Sequence, residues 1–212
     1  MLIVAFEGVD GSGKTTQAKM LVNRLRKQGY RVAYVQPVSM LLSTLTHFKV
    51  NNISAISPRK ARVSPELNSN QCGWLSLIRK QFMKLLGYFY ALTAYLSIRL
   101  HIGKKRVVVC DRYFYQFFFD LYGESSLRVL KIFPKPDITF FLNGDADTIY
   151  QRMTDSFDKT VSKNYYIDVI NFYRILSQKY NFIQVDANMD KKIINDFAFD
   201  YLSKELQRKS YG

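Results

Sequence analysis

Residues 8–15 read Gly-Val-Asp-Gly-Ser-Gly-Lys-Thr and match G-x-x-x-x-G-K-[ST] at every fixed position. Such a spacing suits one task, the capture of a phosphate tail. The glycines let the backbone curl until successive N–H groups point inward around an anion. A helix starting at the end of the loop adds its partial positive charge. Lys14 carries charge to the outer phosphates of a nucleoside triphosphate, and the Thr15 hydroxyl is a hard ligand suited to Mg²⁺. Gly8, Asp10, Gly11, Ser12, Gly13, Lys14, Thr15 and Thr16 are therefore the candidate nucleotide-binding residues. A glycine turn before a helix can also arise by chance. Here a buried strand precedes the loop and an amphipathic helix follows it, which is the context the chemistry requires.

A second group, Asp111-Arg112-Tyr113, closes the apolar run RVVVC. In an open parallel sheet, ligands gather outside the carboxyl ends of the strands, so Asp111 is expected beside the glycine loop as a Mg²⁺ partner. Arg112 is then suited to neutralising charge on a transferring or accepting phosphoryl group. An Asp–Arg pair that merely seals a strand end is the structural alternative, and the presence of the glycine loop favours the functional one.

These groups need a scaffold, and the apolar pattern supplies it. LIVAF (2–6) is a continuous apolar run of the kind found in strands buried on both faces. Ala18, Leu21, Val22 and Leu25 recur at helical spacing within 15–28, and Gly29 stops that helix. RVAYVQ (31–36) is a second strand closed by Pro37. Segment 37–73 shows little periodicity and reads as variable, with a partly mobile polar loop over 51–71. The longest helical candidate runs over 74–101. Strand 106–110, short helices near 113–121 and 125–132, strand 137–142, helix 165–180, strand 182–187 and helix 190–206 complete the chain. Strands alternating with helices predict a three-layer α/β domain spanning 1–212, a five-stranded parallel sheet with helices on both faces and a short lid near 145–163.

Composition narrows the classes. With 212 residues, 48% hydrophobic and 15% aromatic, the chain has material for a substantial core. Two cysteines and two histidines exclude a disulfide scaffold and argue against a zinc cluster. The start, MLIVAFEGVDG, lacks a basic leader region, so a cytoplasmic location is expected. Lys and Arg total 31 against 17 acids, a net charge of +14. Residues 36–110 hold eleven basic residues and only Glu66 as acid, a local surplus of ten. That surplus suits a nucleotide, and it is equally compatible with contact to nucleic acid or to an anionic membrane surface. The uncharged stretch 85–98 is fourteen residues long, short of the ~20 needed for a span, and reads as a buried core helix. Placement of Trp74, Tyr88 and Tyr95 at a membrane interface is the second reading.

Taken together, FEGVDGSGKTTQAKML, DRY, PKPDITFFLN and the later VDA resemble the thymidylate kinase family, within the P-loop nucleoside monophosphate kinases. The resemblance implies transfer of the γ-phosphate of ATP, with Mg²⁺, to a nucleoside monophosphate, dTMP first. It places Asp10 near the acceptor sugar and Arg112 on the acceptor phosphate. It also places Gln116 and Asp120 near the acceptor base, and Asn188 on the adenine side. Arg152 falls in the lid, as a catalytic cation, and family members commonly form homodimers. The chain departs from the family at three points. Gln36-Pro37 stands where an acidic residue usually precedes the proline. Tyr88-Phe89-Tyr90-Ala91 has no arginine where the family grips the acceptor phosphate, leaving Arg79, Lys80 and Lys84 upstream. The stretch 152–163 offers Arg152, Lys159 and Lys163 where several arginines are usual. Lysine is a point charge and lacks the planar fork that bridges two phosphates.

Overall fold

The computed structural model describes residues 1–39, 74–102, 107–151 and 162–211. Five strands form one sheet: β1 (Leu2–Glu7), β2 (Val32–Val35), β3 (Val107–Asp111), β4 (Ile138–Asn143) and β5 (Ile183–Asp186). Their order is β2-β3-β1-β4-β5, and every pairing is parallel. Parallel strands need crossovers that cover both faces of a sheet, and this explains why β1 and β3 are buried along their whole length. In register, Phe6 lies opposite both Asp111 on β3 and Phe140 on β4. From β1 the chain first winds toward β3 and β2 and later toward β4 and β5. The carboxyl end of β1 is therefore the point where strand order reverses, the usual place for a ligand crevice.

The chain packs as two compact units, one of residues 1–35, 102–112 and 136–212, the other of 36–101 and 113–135. The first unit holds the whole sheet. On one face lie α1 (Lys14–Lys27) and the last helix of the chain, Lys191–Tyr211. Leu2, Val4 and Phe6 of β1 point there, into a core with Leu21, Leu25, Ala198 and Leu202. On the other face lies the helix Lys163–Tyr180, whose Tyr173 stacks on Phe141 with ring centroids 5.4 Å apart. Alternation along each strand thus sends one set of side chains to each helical layer.

The second unit contains α2 (Trp74–His101), α3 (Tyr115–Tyr122) and α4 (Ser126–Ile132). Its core is aromatic and centres on Phe133. The rings of Phe118, Phe114, Tyr88, Tyr113 and Tyr95 surround it at centroid distances of 4.8, 5.3, 5.9, 6.2 and 6.3 Å. Most meet it edge to face, the arrangement that ring quadrupoles favour.

One expectation needs correction. The stretch 85–98 is helical but not a fully buried core helix. Ala91, Ala94 and Ile98 are buried, whereas Leu85, Leu86, Phe89 and Leu96 are exposed, in line with exposed Trp74, Ile78 and Phe82. The packed side carries Ala91, Ala94 and Ile98 together with the rings of Tyr88 and Tyr95 against Phe133, and the other bulky apolar side chains face outward. Among the described residues no helix is long and apolar enough to cross a membrane. A helix not expected from the sequence, α5 (Ala146–Gln151), lies within the stretch read as lid. Asp145 caps it, accepting the N–H groups of Asp147 and Thr148 at 3.0 and 3.1 Å. These backbone hydrogen bonds hold the Asp145 carboxyl below its ordinary value. Following α5, the helices Lys163–Tyr180 and Lys191–Tyr211 are α6 and α7. Ser162 caps α6, and an ion pair from Lys163 to Asp147 joins the two helices that bracket 152–161. Residues 40–73, including most of the variable segment and its loop, lie outside the described residues, as does the central lid stretch.

Candidate active site

The glycine loop follows β1 and ends at α1. Gly8 adopts φ +143°, and a Cβ on it would stand 2.8 Å from both the Leu142 carbonyl oxygen and the Ser12 hydroxyl. A side chain there would collide with the backbone of β4, so the loop can pass so close only as glycine. The Ser12 N–H donates to the Val9 carbonyl at 3.2 Å, closing the turn. Gly13 enters α1 with φ 92°, and no side chain caps the helix. The first turn carries no acidic residue either, which leaves its amide ends available to an anion.

Lys14 is buried, and its Nζ donates to the Val9 carbonyl and, at 3.5 Å, to the Ser12 hydroxyl. The ammonium thus lies over the loop. Thr15 and Thr16, beside it on α1, are exposed.

Next to β1, the end of β3 brings Asp111 and Arg112 to the same rim. Asp111 is buried and accepts the Tyr34 hydroxyl of β2 at 2.7 Å. Arg112 adopts a left-handed φ of 68°, fixed by its N–H donating to the Phe6 carbonyl at 3.1 Å. From there its guanidinium forms an ion pair with Asp10 in the middle of the loop. The two motifs noted in the sequence therefore meet through their charged side chains.

Two further groups line this rim. Glu7, the last residue of β1, is fully buried and accepts the Tyr173 hydroxyl of α6 at 2.7 Å. Cys110, also fully buried, has its thiol pushed far up, chiefly by burial and then by the charges of Glu7 and Asp111. That keeps it a protonated, unreactive thiol. The donor set fits Mg²⁺: a hydroxyl (Thr15) and a carboxylate (Asp111) are hard oxygens, few enough to leave positions for water and phosphate.

At the end of β5, Asn188 is exposed in the turn before α7, its N–H donating to Asp186 at 2.8 Å. The remaining predicted residues belong to the second unit or fall outside the description. Gln116 is buried on α3, and Asp120 is half-buried one turn further along the same helix. Arg79 lies on α2, its side chain outside the described set, and Arg152 lies outside the described residues. Tyr90 donates to the Val38 carbonyl at 2.6 Å, within the aromatic stretch that lacks the family arginine.

Sequence reading missed Tyr34, Glu7 and Tyr173. Glu7 alone carried a signal, an acid ending an otherwise apolar buried strand.

The thymidylate kinase family model matches residues 6–42, the segment spanning the loop, α1 and β2. Similarity to curated proteins extends much further. A probable thymidylate kinase of Methanocaldococcus jannaschii is 31% identical over 193 residues, covering 88% of this chain and 87% of that protein. The chain belongs to the thymidylate kinase family. A probable thymidylate kinase of Sulfurisphaera tokodaii is 28% identical, covering 87% of this chain and 86% of its own. One from Methanosphaera stadtmanae is 24% identical over 97% of this chain and 100% of its own. For a thymidylate kinase family member, the meeting of Asp10 and Arg112 sets two opposite charges at the phosphate loop, and the ATP-binding motif is intact.

Proposed function

We propose that the protein is an ATP-dependent nucleoside monophosphate kinase that converts dTMP to dTDP and releases ADP. The observation that carries the reading is the complete phosphate loop with Arg112 ion-paired to its central residue, Asp10. A fixed guanidinium beside a phosphate cradle suits an enzyme that must hold two anions together. The relatives, each named a probable thymidylate kinase, support the choice of acceptor.

In this reading a phosphate oxygen of the acceptor attacks the γ-phosphorus of ATP. A new P–O bond forms, the bond to the β,γ-bridging oxygen breaks, and ADP leaves with that electron pair. The protein has little bond-making to do; it positions and neutralises. The loop amides and Lys14 hold the triphosphate, and Arg112 receives the acceptor phosphate. Asp10 holds Arg112 in place and accepts a hydrogen bond from the acceptor sugar. When bound, Mg²⁺ would be held by Thr15 and Asp111 and would neutralise phosphate charge. Asn188 on the adenine side, Arg152 in the lid, and Arg79, Gln116 and Asp120 on the acceptor side enter by resemblance alone. A single functional domain, a cytoplasmic location and a homodimer belong to the same reading. The exposed apolar face of α2, with Phe82, Leu85 and Phe89, offers the dimer a surface, which sedimentation at several concentrations would test.

A coupled ADP-release assay over a panel of deoxynucleoside and nucleoside monophosphates tests the proposal. Turnover highest with dTMP is expected. Protein that binds ATP yet turns over no member of the panel would refute it.

A further inference from the structure

We infer that Gln17 and Asn195 form a positioning clamp that fixes the span between the phosphate loop and the turn at 187–190, so that a whole nucleotide is bound better than its phosphate tail. Both side chains are buried, at 2% and 3% exposure, in the layer between α1 and α7. Gln17 donates from Nε2 to the carbonyl of Lys191, the first residue of α7, at 3.0 Å. Asn195, one turn into α7, donates from Nδ2 to the Gln17 carbonyl and the Gln17 Oε1 at 3.2 and 3.1 Å. Gln17 in turn closes the first helical hydrogen bond on Gly13, at 3.0 Å. Three bonds therefore tie the first turn that follows the loop to the first turn that follows the 187–190 turn.

Nothing in the phosphate chemistry uses these residues. The neighbouring buried contacts between α1 and α7 are apolar, among them Ala18, Leu21, Ile194 and Ala198, and further along the helices an exposed Arg24–Asp196 ion pair, of the kind that contributes little, joins them too. Apolar packing attracts without fixing register, whereas a buried, satisfied amide network is directional and allows one arrangement. A ligand reaching from the loop to the 187–190 turn gains from a preset span; one that fills only the loop does not. The inference rests on the nucleotide reading above, in which Asn188 lies on the adenine side.

The test is calorimetric titration of Mg²⁺-ATP and of Mg²⁺-tripolyphosphate into the wild type, Gln17→Met and Asn195→Leu. Each variant keeps side-chain bulk and removes hydrogen bonds, one from each helix. ATP should bind about tenfold more weakly to both, with tripolyphosphate unchanged. In steady state, the KM for ATP should rise and that for the acceptor should not. Equal weakening of both ligands would make Gln17 a simple support of the loop and overturn the clamp, as would unchanged ATP affinity in both variants. Should Gln17→Met fail to fold, Asn195→Leu, which leaves α1 intact, decides by the same comparison. Wild type that binds neither ligand would refute the nucleotide reading itself, an outcome separate from these.

Discussion

Arg112 turns back from the end of β3, in a left-handed backbone conformation, to pair with Asp10 in the phosphate loop. An arginine in that conformation carries a strain of about 1 kcal/mol, which the ion pair and the N–H bond to Phe6 offset. Arg112→Ala should lower kcat/KM for the acceptor by about 10²-fold or more while ATP affinity stays within about threefold. Arg112→Lys should fall between, since it keeps the charge and loses the fork. Calorimetry with ATP alongside initial rates checks this. A matching loss of ATP affinity would put Arg112 on the donor side.

Lys14→Ala should remove charge from the phosphate cradle and reduce turnover by about 10²-fold or more. Its amine bonds within the loop itself, to Val9 and Ser12, so the sheet and helices should persist. Circular dichroism and a melting curve close to wild type, with the rate collapsed, is the expected pair of results.

Gly8→Ala should behave differently. The added methyl would meet the Leu142 carbonyl of β4, a strand backbone that has no room to give. Loss of about 1–3 kcal/mol of stability should accompany loss of ATP binding. Denaturant titration separates this from Lys14→Ala, for which stability should be retained.

Phe133 sits where five other rings converge, so Phe133→Ala should cost about 3–5 kcal/mol, and Phe133→Leu less than about 2. Urea unfolding followed by tyrosine fluorescence measures both. Equal, small losses would show the cluster to be loosely packed.

Cys110 should be inert in the native protein. Burial, reinforced by Glu7 and Asp111, keeps its proton on well above the ordinary 9.0. The folded form retains a proton that the unfolded chain releases, so this contribution to stability is complete below pH 9.0 and is lost as pH rises beyond it. In a Cys72→Ser background, iodoacetamide at about pH 8.5 should label the unfolded chain and spare the native one. Alkaline loss of stability should be shallower in Cys110→Ala.

The parts of the site that could be read in the sequence are the local ones. The loop, its strand and its helix are contiguous, and the octapeptide states its own geometry. The bounds of α2 were legible because its apolar residues run unbroken by proline or acid. Helix α5 was not, since six residues are too few to show a period and its cap, Asp145, resembles any loop aspartate. The final helix runs past the expected end at 206, and Gln207, Arg208 and Lys209, all polar, offer no apolar spacing that would announce the extension. Tyr34 with Asp111, Glu7 with Tyr173 and Gln17 with Asn195 are partners far apart in the chain, brought together only by the order of the strands and the layering of the helices. Periodicity reports which way a side chain faces, not whom it meets.

Strand β1 is made first and yet sits in the middle, flanked by β3 and β4. A growing chain therefore carries this wholly buried strand without a neighbour until β3 has been synthesised, and with an open edge until β4 has followed. Until both neighbours have been made, β1 depends on chaperones or transient collapse to avoid aggregation. A product truncated before β3 would leave the phosphate loop unsupported, so ATP capture has to wait for strands made well after the loop itself.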